Sequence, residues 1–389
     1  MTVLRWVTAG ESHGPEITAI LEGIPAGLPL LAADIDEDLG RRQRGYGRGA
    51  RMKIEQDRVR FTAGVRGGET LGSPIALVIE NRDHASWTGR MGAAPFDAPP
   101  EPLTRPRPGH ADLAGGLKHD RHDLRDILER ASARETAARV AVGGVCKKLL
   151  GVLGVEVFAH VVAIGPVAAA ALAALTPEDL RARARASDLA CADADAAEAM
   201  RGAIRDAAHR GDTLGGVFEV VATGVPPGLG SHTQWDRKLD GRLAQALMSI
   251  QAIKGVEIGL GFEAAQRPGS EVHDAIGYDA EARAFTRPTN RAGGTEGGIS
   301  NGMPLVCRAA MKPIATLKRA LPSVDVRSKE VFDAAFERSD VCAVPAASVV
   351  GEAMVAITLT SALLEKLGGD SLGEVRRNLE GFRAQLAQF

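Results

Sequence analysis

The chain has 389 residues and carries 47 Lys and Arg against 49 Asp and Glu, which leaves a net charge of -2. Hydrophobic residues make up 45% and charged residues 25%, proportions typical of a globular protein, so global disorder is excluded. The near-neutral charge and an aromatic content of only 4% argue against a broadly basic, base-stacking nucleic-acid interface.

The first part of the chain predicts short strands separated by glycine turns. These β-rich runs are Leu4–Val7, Ile17–Ile24, Val59–Val65 and Ile75–Glu80. Asp123–Leu150 predicts a helix, and a capping box at Ser132–Glu135 marks a point where a helix starts or restarts. Val155–Ile164 predicts the next strand.

The middle of the chain begins with Val167–Arg210, which contains 18 alanines and many charges. This stretch has little material for a core and predicts two peripheral surface helices. Thr213–Gly224 returns to strand character, and Asp236–Ile250 predicts an amphipathic helix with leucines at helical spacing. Two further strands are predicted at Val256–Phe262 and Leu305–Met311.

Near the C-terminus, Val344–Leu364 is mostly apolar and about as long as a membrane-spanning helix. It contains Glu352, and because a carboxylate at mid-bilayer is costly, we interpret the segment as a buried core helix. This helix is predicted to begin at Pro345 and to stop at Gly368. A final helix is predicted over Leu372–Leu386.

Strands and helices occur in blocks rather than in alternation, which favours an α+β fold over a doubly wound α/β sheet. Because no Pro/Gly/Ser linker divides the chain, we expect one domain over residues 1–389 that includes the Ala-rich excursion. The sequence contains no P-loop, Rossmann GxGxxG, GxSxG or HExxH motif. A standard nucleotide-fold enzyme is therefore disfavoured.

The cysteines are widely spaced and form no CxxC pair, and the N-terminal MTVLRWVTAG has no apolar run typical of a signal peptide. Such usage favours a reducing, cytoplasmic compartment and predicts no metal site. The four cysteines are Cys146, Cys191, Cys307 and Cys342.

Two polar segments are candidates for binding and catalysis. Gly10–Gly14 places Ser12 and His13 between glycines that let a ligand approach the backbone, although a tight turn with a surface histidine has the same pattern. Arg41–Lys53 has six basic residues and no acidic one, as expected for a loop that encloses a small polyanion. A solvated basic loop, or a contact with an acidic partner surface, is the alternative.

Two further segments combine arginine with groups that transfer protons or bind anions. In Arg105–Asp112, prolines fix the directions of Arg107 and His110, and the alternative is a structural histidine. Arg130–Glu135 lies at a predicted helix N-terminus, which offers free N–H groups to an anion. An ordinary capping box explains that segment equally well.

The last two segments are glycine-rich or acidic. Asn290–Gly302 has four glycines in six positions, which suggests a backbone pressed against a flat ligand or a flexible loop. Asp340 precedes the long apolar helix and is either a base or an acid of the helix N-terminus.

Together these segments closely resemble the chorismate synthase family, from Leu4 to about Asn378. Many long blocks in the same order are far more specific than any single short motif. The blocks are GESHG at Gly10–Gly14, RRQRGYGRGARM at Arg41–Met52, RPGHAD at Arg107–Asp112, ERASARETAARVA at Glu129–Ala141, MSIQAIKGVEIG at Met248–Gly259, NRAGGTEGGISNGMP at Asn290–Pro304, RAAMKPIATL at Arg308–Leu317 and RSDVCAVPAA at Arg338–Ala347.

The resemblance implies a fold of its own type, a β-α-β sandwich with helices packed between antiparallel sheets, and a homotetramer. It also implies a lyase that converts 5-enolpyruvylshikimate 3-phosphate to chorismate, in the route to the aromatic amino acids. The reaction is a 1,4-anti elimination of phosphate and a ring proton. It requires reduced FMN, although no net redox change occurs.

The implied substrate carries close to four negative charges near neutral pH, which matches an arginine-lined pocket. The family's basic positions correspond to Arg42, Arg48, Arg51, Arg107 and Arg134. The family also assigns Arg42 and Arg48 to NADPH where that reductant is used. The sequence does not separate these roles, nor does it say whether the protein reduces its own FMN.

The resemblance also implies the catalytic groups. His13, with Ser12 beside it, matches the histidine that serves the departing phosphate, and His110 matches the one that manages the charge of the reduced flavin. Asp340 matches the acid that works with the flavin in removing the ring proton. The implied FMN contacts are Arg130, Ala131, Ser132, Gln251, Ala252, Gly297, Lys312, Pro313, Ile314, Ala315, Thr316 and Arg338.

Two other functions are alternatives. One is another flavoenzyme that acts on a phosphorylated ring with the same scaffold. The other is a nucleic-acid-binding protein that uses Arg41–Arg51, against which the pI near 6.5 and the low aromatic content speak. We expect a small-molecule enzyme that binds neither nucleic acid nor a membrane.

Overall fold

The computed structural model describes residues 4–49, 55–170, 175–335 and 340–389. Its strands are β1 (Arg5–Ala9), β2 (Glu16–Glu22), β3 (Val59–Ala63), β4 (Val65–Arg66), β5 (Glu69–Thr70), β6 (Ile75–Glu80), β7 (Glu156–Ile164), β8 (Val167–Ala168), β9 (Gly216–Thr223), β10 (Ile253–Ile258), β11 (Gly277–Asp279), β12 (Ala284–Thr286), β13 (Thr295–Glu296), β14 (Ile299–Ser300), β15 (Leu305–Met311), β16 (Pro322–Val324) and β17 (Val331–Asp333). Its helices are α1 (Ala32–Gln43), α2 (Asp112–His119), α3 (Arg125–Ala131), α4 (Thr136–Val152), α5 (Pro177–Ala186), α6 (Ala194–His209), α7 (Leu239–Met248), α8 (Val344–Leu367) and α9 (Leu372–Leu386).

The first sheet has four antiparallel strands in the order β1-β2-β6-β3. Side chains alternate along β2, so Ile17, Ala19 and Leu21 are buried while the residues between them face outward. Register pairs Ile17 with Ile79 and Leu21 with Ile75 of β6. One face of this sheet is therefore a continuous apolar surface.

The second sheet has five strands in the order β10-β15-β9-β7-β8, and its pairs are also antiparallel. Its inner face packs against α8, where Phe218 of β9 approaches Gly351 closely. A Cβ atom added at Gly351 would lie 2.4 Å from the Phe218 ring, so only glycine fits there. Paired hairpins such as β11–β12 and β16–β17 lie outside both sheets.

Between the sheets lie α1, α4, α7 and α8. α4 packs on β2 and β6 of the first sheet, while α8 packs on β7 and β9 of the second. α4 and α8 contact each other closely, since a Cβ atom at Gly143 would lie 2.3 Å from Cβ of Ala353. The predicted α+β architecture, with helices between antiparallel sheets, is confirmed.

Helix α8 is long and apolar enough to cross a membrane, and 94% of its most hydrophobic window is buried inside the protein. The interpretation of this segment as a buried core helix is confirmed. The helix begins one residue earlier than predicted, at Val344, and ends at Leu367, with Gly368 as its C-cap at a φ of +66° that suits glycine. The final helix Leu372–Leu386 has the predicted bounds.

A buried ion cluster joins α8 to α1 and α4. Both Glu352 oxygens accept hydrogen bonds from Arg41, at 2.9 Å each, and Lys147 also donates to this carboxylate. Asp38 accepts from Arg41 and from Lys147, at 2.8 Å in both cases. Burial alone would raise the pKa of Glu352, but Lys147 and Arg41 outweigh it and lower that pKa to about 2.

The helix predicted over Asp123–Leu150 is interrupted. α3 ends at Ala131, and a short 3-10 turn leads into α4. The restart at Ser132 is confirmed, because Ser132 caps the 3-10 turn and its Oγ accepts from the Arg134 N–H. The reciprocal half of the capping box is replaced, since the Glu135 carboxylate accepts from the side chains of Thr8, Arg139 and Gln251.

Three other predictions are adjusted by the structure. The helix over Ala32–Gln43 was not predicted. Arg41 and Arg42 form its last turn and do not lie in a loop. The strand predicted at Val256–Phe262 begins earlier and ends at Ile258. The Ala-rich excursion forms the two predicted helices, α5 and α6, yet α6 buries Met200 and Ile204 and so contributes to the core.

Candidate active site

His13 lies in the turn between β1 and β2 and is only 9% exposed. Its Nδ1 is 2.8 Å from Glu129 Oε1, and its backbone N–H donates to Glu129 Oε2 at 2.8 Å. The ring stacks on Trp87 with centroids 4.0 Å apart, and its Nε2 is 3.9 Å from Asp83. The surface-histidine alternative is therefore wrong.

The turn itself depends on one glycine and one backbone contact. Gly10 has φ of +112°, and a Cβ atom there would lie 2.5 Å from the carbonyl oxygen of Glu16. The N–H of Ser12 donates to the backbone oxygen of Glu129 at 3.0 Å. This pairing ties the turn to α3, which the sequence reading did not anticipate.

Arg42 and Arg134 meet at a shared carboxylate. Asp57 accepts from each guanidinium at 2.5 Å, and all three side chains are buried. Arg134 also donates to Asn81 Oδ1 at 2.7 Å. Glu55 lies 3.8 Å from Arg134, so two carboxylates largely compensate these two guanidinium charges.

Asp57 is held as an anion by this arrangement. Burial would raise the pKa of Asp57, but Arg42 and Arg134 outweigh it and lower the pKa. The Nε of Arg42 is buried and has no hydrogen-bond acceptor among the residues that the structure describes. One donor of the pair is therefore available to a ligand or a water molecule.

Asp340 pairs with Arg48 across a long sequence separation. The Arg48 Nη1 to Asp340 Oδ2 distance is 2.7 Å, and the N–H of Gly49 donates to Asp340 Oδ1 at 2.6 Å. The helix that follows has Ala343 at its N-cap, without a side-chain hydrogen bond. Asp340 is thus not the cap of α8, and that alternative is wrong.

His110 and Arg107 share the buried carboxylate of Asp112. Asp112 Oδ1 is 2.6 Å from His110 Nδ1, and Arg107 Nε donates to Oδ2 at 2.8 Å. Burial would raise the pKa of Asp112, but His110 and then Arg107 lower it well below its usual range. Arg107 also donates to Thr316 Oγ1 at 3.1 Å, which joins this loop to the segment after β15.

A cavity of about 630 Å³ opens beside His110. Its walls are mainly apolar, from Leu113 and Leu117 of α2 and from Val324 and Val331 of the β16–β17 hairpin. A second cavity of about 550 Å³ is lined by polar residues of α1 and residues 55–58. His13 and Asp340 line neither of these two cavities.

Several residues predicted to contact the flavin lie next to one another. Lys312 donates its N–H to the carbonyl oxygen of Ala252 at 2.9 Å, and its Nζ donates to the carbonyl oxygen of Gly109 at 2.8 Å. Gln251 Nε2 donates to Glu135 at 3.1 Å. The Gln251–Ala252 patch, the Lys312–Thr316 patch and the His110 loop therefore adjoin.

The remaining part of the Lys312–Thr316 patch is fixed by backbone contacts. The carbonyl oxygen of Ile314 accepts from Thr213 Oγ1 at 2.8 Å. Ala315 packs near Gly109, where an added Cβ atom would lie 3.8 Å from Cβ of Ala315. Pro313 lies between Lys312 and Ile314 and has no N–H to donate.

The Arg130 patch also adjoins Gln251, whereas Gly297 lies farther from this group. Arg130 donates to the backbone oxygen of Thr8 at 2.9 Å and, with Ala131 and Ser132, lies at the end of α3. Its Nη2 is 4.0 Å from Glu135 Oε1, and Gln251 donates to the other oxygen of the same carboxylate. Gly297 lies at the other end of α7 from Gln251, because Leu239 donates its N–H to the carbonyl oxygen of Gly298. A helix of this length spans about 15 Å. Arg51 and Arg338 lie outside the described residues.

Sequence reasoning missed the carboxylates that hold the predicted bases and arginines, namely Asp57, Asp112 and Glu129. Asp112 and Glu129 stood inside the matching blocks, so their position was visible but their role was not. All three are almost fully buried, which is uncommon for acids and indicates paired charges.

Comparisons with known proteins all match the same family. A sequence model of the family described as chorismate synthase matches residues 4–364. The chorismate synthase of Pelobacter propionicus is 58% identical over 387 residues, covering 98% of both chains, and that of Geobacter sulfurreducens is 57% identical over 394 residues, covering 100% of both. A solved structure titled "Crystal Structure of Chorismate Synthase" has a TM-score of 0.81 and 48% identity, and covers 100% of this chain and 99% of that one.

Proposed function

The chain belongs to the chorismate synthase family, and we propose that the clusters around His13, Asp340 and His110 are the working parts of its active site. It is an enzyme of aromatic amino acid biosynthesis, a carbon–oxygen lyase that removes phosphate. The proposed substrate is 5-enolpyruvylshikimate 3-phosphate, and the proposed product is chorismate.

One observation carries the proposal. Each of the three candidate proton-transferring groups is paired with a charged partner, and two of these pairs join motif segments that are far apart in the chain. His13 meets Glu129, Asp340 meets Arg48, and His110 meets Asp112 beside Arg107. A redox-neutral elimination of phosphate and a ring proton needs a base, a donor to the leaving group and cations for the substrate's charges.

We assign the roles as follows. Asp340 holds the proton removed from the ring, and His13, with Ser12 beside it, donates to the departing phosphate. Arg48, Arg107, Arg42, Arg134 and Arg51 bind the substrate's anionic groups. The paired state of Arg48 supports this, because a carboxylate of the substrate can replace Asp340 on the same guanidinium and release the base.

The flavin dependence of the family fits residues of this chain. Gln251 Oε1 is buried and accepts no hydrogen bond from the described residues, so an acceptor is left for a ligand N–H. Lys312 lies next to Ala252, and burial followed by the charge of Lys254 lowers the pKa of Lys312. These groups would hold the isoalloxazine ring and its phosphate together with the predicted positions Arg130, Ser132, Gly297 and Arg338. Reduced FMN, when bound, supplies electron density to the substrate without net redox change.

His110 is the proposed partner of the flavin's charge. Its Nδ1 is fixed by Asp112, so the ring keeps one orientation towards the apolar cavity beside it. The apolar walls of this cavity would exclude water from a flavin ring bound there.

We further propose NADPH as reductant, with Arg42 and Arg48 as its contacts, a homotetramer of single-domain chains and a cytoplasmic location. NADPH consumption with added FMN in air tests the reductase activity. Light scattering measures the molar mass of the protein in solution, and a mass equal to one or two chains would contradict the tetramer.

The main assay is phosphate release from 5-enolpyruvylshikimate 3-phosphate under anaerobic conditions with chemically reduced FMN. We expect stoichiometric phosphate and chorismate, and none with oxidised FMN. Absence of both products with reduced FMN would reject the lyase assignment.

A further inference from the structure

Glu129 is an acid that no role assigned above accounts for. It is 3% exposed and lies on α3, within reach of the turn that holds His13. His13 Nδ1 is 2.8 Å from Oε1 and 3.0 Å from Oε2, and the His13 N–H donates to Oε2 at 2.8 Å. Arg125 donates to Oε1 at 3.3 Å, so the carboxylate contacts a ring nitrogen, a backbone amide and a guanidinium.

These contacts show that the His13 nitrogen facing Glu129 carries a proton. A carboxylate accepts hydrogen bonds only, so the nitrogen facing Glu129 is Nδ1–H. Burial would raise the pKa of Glu129, but its hydrogen bond to His13 outweighs burial and lowers that pKa. The Glu129 side chain is therefore an anion, and Nε2, which lies 3.9 Å from Asp83, is the nitrogen that exchanges a proton with a reacting group.

The orientation of the ring is fixed by a second contact. Trp87 stacks on the imidazole with an interplanar angle of 26°, and Arg125 lies 5.1 Å from the Trp87 ring. Rotation of His13 about its side-chain bonds would break both this stacking and the Nδ1 hydrogen bond. The ring is thus held in one rotamer with Nδ1 protonated.

We propose that Glu129 is a positioning residue for the elimination, which holds Nδ1 protonated so that His13 gives its proton from Nε2 to the departing phosphate. As the carbon–oxygen bond breaks, its electron pair goes to the phosphate oxygen, which takes the Nε2 proton. The imidazolium becomes the neutral Nδ1–H tautomer, which Glu129 already binds. This proposal rests on the proposed role of His13 in the lyase reaction.

Glu129→Gln tests the proposal with little change of shape. The backbone N–H of His13 needs an acceptor, so the glutamine oxygen takes the place of Oε2 and the amide NH₂ faces Nδ1. Nδ1 must then accept, and Nε2 carries the remaining proton of the neutral ring. The imidazolium form loses its anionic partner and meets an N–H donor instead.

We expect kcat for phosphate release to fall on the order of 100-fold, with KM changed less than about threefold, since an acid contributes roughly 10² to 10⁴ in rate. In ¹⁵N NMR spectra of the His13 ring, Nδ1 should change from a protonated to an unprotonated nitrogen. Glu129→Asp keeps a carboxylate and should recover part of the rate. Glu365→Gln, in an exposed ion pair on α8, should keep the wild-type rate.

The outcomes separate the two proposals. A His13→Ala variant that loses activity beside a Glu129→Gln variant with wild-type kcat and an unchanged Nδ1 signal overturns the role of Glu129 alone. Wild-type turnover in both variants overturns the role of His13. If Glu129 acts through His13, the double variant is no slower than His13→Ala, and additive losses would contradict the proposal. Should Glu129→Gln not fold, Glu129→Asp and the double-variant comparison carry the test.

Discussion

Glu352→Gln is expected to destabilise the fold by removing the one anion that Arg41 and Lys147 share on α8. The pKa of Glu352 is about 2 in the folded protein against an ordinary 4.5. That difference corresponds to about 3 kcal/mol at neutral pH, since each pKa unit is worth about 1.4 kcal/mol. Breaking one partner of a buried ion pair costs about 3 to 5 kcal/mol in other proteins, so the two estimates agree.

The measurement is urea unfolding at pH 7, followed by circular dichroism. We expect the unfolding midpoint to fall in Glu352→Gln while the slope with urea stays the same. Glu365→Gln is the matched control, because the same substitution on the same helix removes an exposed pair with Arg242. The loss of unfolding free energy in Glu365→Gln should stay below about 1 kcal/mol. Equal losses in the two variants would refute the reasoning.

The pH dependence has a definite direction. Because the pKa of Glu352 is lower in the folded protein than in the unfolded chain, its stabilisation is complete above about pH 4.5 and is lost as the pH falls towards about 2. The difference in unfolding free energy between the wild type and Glu352→Gln should therefore shrink between pH 7 and pH 3. A difference that stays constant over this range would show that the carboxylate is not held by its charge.

Three further predictions concern packing, flavin binding and turnover. Gly143→Ala should cost about 1 to 3 kcal/mol in urea unfolding, because the new Cβ meets Ala353; an unchanged midpoint would contradict the close helix contact. Gln251→Leu removes the buried acceptor and should raise the FMN Kd roughly tenfold in fluorescence titrations, whereas equal affinity would exclude Gln251 from the flavin site. Asp340→Asn should keep FMN affinity but lower kcat by about 10² or more, and normal turnover would remove Asp340 from the mechanism.

The core elements were predictable where the pattern of apolar residues was strong. Ile75–Glu80, Leu305–Met311 and Leu372–Leu386 have the predicted bounds because each is a regular apolar or amphipathic run. α1 was missed because its last turn carries Arg41 and Arg42, which belong to the basic run that suggested a loop. Its buried side is supplied by only a few residues, among them Ile35 and Leu39.

The site was predictable as a set of motifs but not as a set of pairings. The sequence drew attention to His13 and His110 through their glycine- and proline-rich segments, whereas Arg42 and Arg134 lie in helical turns of the structure. The pairings of His13 with Glu129 and of Asp340 with Arg48 depend on contacts between residues more than a hundred positions apart. Pattern and propensity act locally and contain no such information.

The position of α8 in the chain has a consequence for biosynthesis. Residues 344–367 leave the ribosome after α4, β7 and β9, the elements against which they pack. Until then the inner faces of these elements lack their principal apolar neighbour, and exposed sheet surface of this kind is prone to aggregate. Native packing of these sheets therefore has to wait until α8 has been made, and nascent chains stalled before Val344 should be degraded or bound by chaperones rather than native.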